Sequence, residues 1–137
     1  MKAFLFGGES MKSDAANFGL LVMRLIAGLG LAFGHGIHKM PPPEKFIEGV
    51  AKIGFPYPDG FAWAAAISEL VGGVCLALGL GTRVWGFFIA FTMGTAVFKN
   101  IGDGFSQWEL ASMYFACAFA LMFIGGGKYA VDRRFAK

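Results

Sequence analysis

Residues 61–83, FAWAAAISELVGGVCLALGLGTR, constrain this chain more than any other stretch. From 61 to 80 the run is twenty residues long and carries one charge, Glu69, near its middle. Twenty helical residues at ~1.5 Å each cover the ~30 Å hydrocarbon core of a bilayer. An ionisable group inside such a run is costly, so it is expected to face protein and to have a partner or a task. A soluble reading fails for want of polar residues. Hydrophobic residues make up 56%, charged ones 15%, and the mean hydropathy is +0.60, against roughly 45–50% apolar and about 25% charged in soluble domains. A soluble bundle needs a polar face on every outer helix, and this chain cannot supply them. At 137 residues it is a single domain.

In chain order, residues 1–17 form a mixed N-terminal segment, with a cleaved leader as the alternative reading. The first span covers 18–34 and is expected to continue as helix to His38, with Arg24 its only charge before the histidines. The connection that follows holds a short helix: Phe46, Ile47, Val50 and Ile53 share one face, and Gly54 and Pro56 stop it. It suits either an amphipathic helix lying at the membrane interface or a lid over a pocket mouth. The second span is 61–80, where Ala62, Ala65, Ala66, Glu69, Gly72 and Gly73 share a small-residue face. The third covers 84–99, with Thr92, Thr95 and Lys99 along one side. The fourth covers 108–127, with Glu109 at its start and Ser112, Ala116, Cys117 and Ala120 as its small face. Residues 128–137 are a basic tail. The expected fold is all-α: a polytopic membrane four-helix bundle with a short interfacial helix between spans 1 and 2.

Seven Lys and Arg flank the side holding both termini and four flank the other, which puts both termini in the cytoplasm. Trp63, Trp85 and Trp108 fall at span starts, as an interfacial belt requires. The scattered basic residues give no nucleic-acid signature. Cys75 and Cys117 lie in apolar runs without a CxxC, and read as small buried hydrophobes.

At 100° per residue, His35 and His38 each fall within about 40° of Arg24 on a continuous helix. Depth arithmetic then sets Glu69 between Arg24 and His35. Two readings follow. One is a polar pocket lined by Arg24, His35, His38, Glu69 and Glu109, with Glu69 and His35 as candidate catalytic groups. The other is an Arg24–Glu69 ion pair that only fixes helix register. No metal site is expected: the two histidines sit three apart on one helix, and the paired Glu-x-x-His of a di-iron site is missing. A quinone head group suits better, because it needs hydrogen-bond donors and a proton route in a lipid-accessible cleft.

The segments RLIAGLGLAFGHGIHK (24–39), AKIGFPYP (51–58), SELVGGVCLALGLGTR (68–83) and GGGKYAVDRR (125–134) together resemble the DoxX family of small bacterial membrane proteins. The resemblance spans roughly 18–134 and implies a four-helix bundle in the cytoplasmic membrane. On the family pattern Arg24, His35, Lys39, Glu69, Gly72, Gly73, Arg83 and Asp132 are the matching positions. Lys99 stands where members often carry a histidine. The resemblance implies a membrane subunit of a redox system that exchanges electrons or protons with the quinone pool, with no covalent cofactor and a redox partner protein. The alternative is a non-catalytic accessory subunit that docks a larger membrane complex; a transporter ranks third.

Overall fold

The computed structural model describes residues 11–135, and among them there is helix and no strand. The order is α1 (Asp14–Gly34), a 3-10 turn (Gly36–Lys39), α2 (Glu44–Ile53), α3 (Pro58–Leu78), α4 (Thr82–Asn100), α5 (Phe105–Ile124) and α6 (Asp132–Phe135). Three helical stretches are long and apolar enough to cross a membrane: Asp14–Lys39, Pro58–Leu78 and Phe105–Ile124. The fourth long helix, α4, falls outside that group because Arg83, Lys99, Asn100 and three threonines dilute its apolar run. The N-terminal residues 1–10 and the last two of the basic tail lie outside the described residues.

Local sequence explains where the helices break. Pro58 opens α3 at a first-turn position, where its missing N–H costs nothing. Gly79 (φ 73°) and Gly81 (φ 60°) end it in the left-handed region that side chains disfavour. Leu80 N donates to the Cys75 carbonyl at 2.8 Å, closing the last turn. The expected continuation of α1 to His38 does not occur. The helix ends at Gly34, His35 takes φ −128° and ψ −51°, and the chain tightens into the 3-10 turn. The polar stripe through Arg24, His35 and His38 is therefore broken.

α1 packs on α3, α3 on α4, α4 on α5, and α5 returns to α1. Leu31, Leu76, Ile89 and Leu121 fill the centre. Glycines set the crossings. A Cβ on Gly28 would lie 2.7 Å from Ala77 N, and one on Gly73 would lie 2.7 Å from the Gly28 carbonyl. On α4, a Cβ at Gly86 would lie 2.9 Å from the Ala118 carbonyl. The small-residue face of α3 is buried as its spacing predicts, with Ala65 half-buried. That of α5 is not: Ala116 is exposed while Ala118 and Leu121 are buried. Small residues do not identify the packed face here, because α4 supplies the glycines and α5 fits larger groups against them. Phe115, for example, sits opposite Gly94. Trp85, half-buried near the start of α4, packs over Gly72. Phe18, Phe33, Phe98 and Phe123 point outward.

Candidate functional site

The 3-10 turn enters α3 backbone to backbone. A Cβ on Gly36 would lie 2.8 Å from the Glu69 carbonyl carbon, so only a glycine allows this approach. Three residues later, Lys39 Nζ reaches the Glu69 carboxylate and donates to both oxygens, at 2.7 and 2.8 Å. Glu69 is 1% exposed and Lys39 is 30% exposed, so the carboxylate is sealed while the ammonium keeps a route outward. Lys39 Nζ also lies 5.1 Å from the Phe46 ring centroid.

This ion pair forms one wall of a cavity of about 460 Å3 between α2, α3 and α4, a size suited to a small organic molecule. Six phenyl rings line it: Phe46, Phe55, Phe61, Phe87, Phe88 and Phe91. Its other polar groups are Ser68, Thr92, Thr95, Lys99 and Asn100. Ser68 Oγ and Thr92 Oγ1 are 2.9 Å apart, and each is also 2.9 Å from a carbonyl of its own helix. Two hydroxyl protons cannot serve all three contacts, so the pair retains capacity to accept a donor from the cavity. The short helix α2 covers the cavity with Phe46, Gly49, Val50 and Ile53.

Of the five residues expected to line one pocket, only Glu69 does so. His35 is half-buried and meets Tyr114 edge-on at 5.8 Å between centroids. His38 and Glu109 are exposed. Arg24 is fully buried elsewhere: its Nη2 donates to the Tyr129 carbonyl at 3.3 Å, and it packs against Gly79 and Gly126. The Arg24–Glu69 ion pair does not form. The reason is register. Gly36 lies opposite Glu69, and Arg24 is twelve residues back along the antiparallel helix, or ~18 Å away if helical throughout. Its long side chain also reaches toward the chain termini, away from Glu69.

Around Arg24 the sequence motifs converge into a second polar centre, structural in character. Asp132 accepts from Gly81 N at 2.6 Å and Thr82 N at 2.8 Å, capping the start of α4. Asp132 N in turn donates to the Gly79 carbonyl at 2.9 Å. Asn17 Oδ1 accepts from Lys128 N at 3.1 Å, and Lys128 Nζ pairs with Asp14 at 2.6 Å. The start of α1, the α3–α4 turn and the chain after α5 are thus tied at one end of the molecule.

Sequence reasoning missed Lys39 as the partner of Glu69 and missed Asn17 as a buried tie. Lys39 carried a signal, since it follows the glycine-rich end of α1; Asn17 carried none. Cys75 and Cys117 are half-buried free thiols. Among the described residues no cluster of His, Cys, Asp and Glu could hold a metal ion.

The family model described as DoxX matches residues 19–100, which include Arg24, Lys39, Glu69 and Lys99. A protein of Bacillus subtilis (strain 168) named "Putative oxidoreductase CatD" is 37% identical over 79 residues, 58% of this chain. The matched region spans 57% of that relative's length. No solved structure matches this chain.

Proposed function

This chain belongs to the DoxX family, and from that premise we propose that it is a membrane subunit of a bacterial redox system that binds a quinone-type ring between α2, α3 and α4. The observation that carries the reading is a phenyl-lined cavity with an ion pair in its wall, Lys39–Glu69, whose carboxylate is buried. A lipophilic ring suits the six phenyl groups, and a ring oxygen suits the ammonium protons and hydroxyls. The name of the Bacillus relative supports an oxidoreductase association.

When bound, a quinone would carry two electrons and two protons between its oxidised and reduced forms. Lys39 would hold one ring oxygen by hydrogen bonding. Glu69, bonded to Lys39, would take or return a proton at its carboxylate. α2 would limit water access. The electrons would come from a partner redox protein. The protein would sit as four membrane helices in the inner membrane, with α2 at the outer interface and both termini in the cytoplasm, as the seven-to-four excess of basic flanks supports.

The test is saturable binding of a short-chain naphthoquinone to the purified protein in nanodiscs, read by quenching of its tryptophans. Glu69→Gln should weaken binding about 10-fold, through loss of the charge that orients Lys39. Failure of the intact protein to bind any quinone, alongside recovery of a stoichiometric membrane partner, would favour the accessory-subunit reading instead.

A further inference from the structure

The cavity wall is not electrically balanced. It holds two ammonium groups, Lys39 and Lys99, and one carboxylate, Glu69. Lys39 is committed to both Glu69 oxygens. Lys99 has no ion pair and no hydrogen bond among the described residues. A lysine at the end of a membrane helix ordinarily extends to the polar interface. Lys99 is exposed and its ammonium lies against α2, where a Cβ on Gly49 would come within 2.8 Å of Lys99 Nζ. The absent side chain at Gly49 makes the room in which the ammonium sits, at the junction of α2 and α4.

We infer that the ligand of this cavity carries an ionised oxygen, of phenolate or carboxylate type, and that Lys99 is the residue that selects it. The inference rests on the cavity being a ligand site, as proposed above, but not on the ligand being a quinone. The exposed Lys99 ammonium has no counter-ion among the described residues, so the cavity rim offers one uncompensated positive charge to an anionic ligand group. A neutral ring oxygen would accept a hydrogen bond from the Lys99 ammonium, whereas an ionised one would add the attraction between opposite charges and a shorter bond. The apolar body of the ligand would lie along Phe87, Phe88 and Phe91 of α4, with its charged end toward Lys99. Two sources share this chemistry: an acidic aromatic ring and a free fatty acid from the bilayer.

The test uses the full chain in nanodiscs of zwitterionic lipid at neutral pH. Hydroxy-naphthoquinone, ionised under these conditions, is compared with its neutral methoxy ether by tryptophan quenching, and dodecanoate is titrated separately by calorimetry. The hydroxy compound should bind about 10-fold more tightly than the ether. Lys99→Met should abolish that difference by weakening the hydroxy compound more than the ether, and Lys99→Arg should preserve it. Lys99-dependent dodecanoate binding assigns the bilayer as a source of ligand; its absence alongside hydroxy-naphthoquinone binding assigns the aromatic ring. Equal affinity for the two naphthoquinones, or a preference that survives in Lys99→Met, overturns the inference. If no naphthoquinone binds but dodecanoate does so through Lys99, the quinone reading falls and this inference stands.

Discussion

Glu69 and Arg24 are both sealed from solvent, yet they are accommodated in opposite ways. Glu69 has a full counter-ion in Lys39, whose own exposure gives it an exit. Arg24 has one carbonyl, with Asp132 nearby but outside ion-pair distance, and two of its nitrogens lack hydrogen-bond partners. The asymmetry of the first pair yields an order of stabilities. Lys39→Met leaves a carboxylate buried without its partner and should cost about 3–5 kcal/mol. Glu69→Gln removes the buried charge, leaves a lysine able to turn outward, and should cost about 1–2 kcal/mol. Thermal unfolding in detergent would check this, and a larger loss in Glu69→Gln would contradict it. The sequence made it legible that Glu69 needs a partner. It did not make the partner legible, because residue counting along helices gives depth but neither register nor side-chain direction. Lys39 meets Glu69 only because Gly36 lets the two backbones touch.

At the level of helices, glycine contacts hold the molecule in register. Gly28 and Gly73 bring α1 and α3 so close that each would drive a Cβ into the other's backbone. Backbone atoms cannot swing aside as the end of a flexible side chain can. Gly28→Ala or Gly73→Ala should therefore push the helices apart and cost about 3 kcal/mol, the upper part of the overpacking range. Gly19 on the same helix meets nothing within 4 Å, so Gly19→Ala should be neutral or stabilise by up to about 1 kcal/mol through helix propensity. Urea unfolding of the three variants in micelles checks the contrast, and equal effects would refute it. The α3 face could be read from sequence because its small residues also surround a carboxylate that has to be buried. The α5 face could not, since its packed side consists of residues sized to fit glycines on α4.

Taken whole, the molecule separates a cavity end, where the proposed ligand would bind, from a tethering end. The cavity and its ion pair lie where α2 folds over α3 and α4, while Arg24, Asp132, Asn17 and Lys128 tie the segments at the end carrying both termini. Spacing of ~18 Å along α1 divides the two. Sites that far apart without shared partners act additively. Asp132→Ala removes two hydrogen bonds to the start of α4 and should cost about 2–3 kcal/mol, while Asp132→Asn, which keeps one acceptor oxygen, should cost about half as much. Neither should alter ligand affinity by more than about 2-fold in protein that remains folded. Conversely, Lys99→Met should change ligand preference and leave the unfolding temperature near that of the parent, since Lys99 makes no bond that folding would lose. Measuring unfolding temperature and affinity on the same three preparations places each variant on one axis or the other. Parallel loss of both in Asp132→Asn would mean that the two ends are coupled through α4, and the division into a cavity end and a tethering end would have to be abandoned.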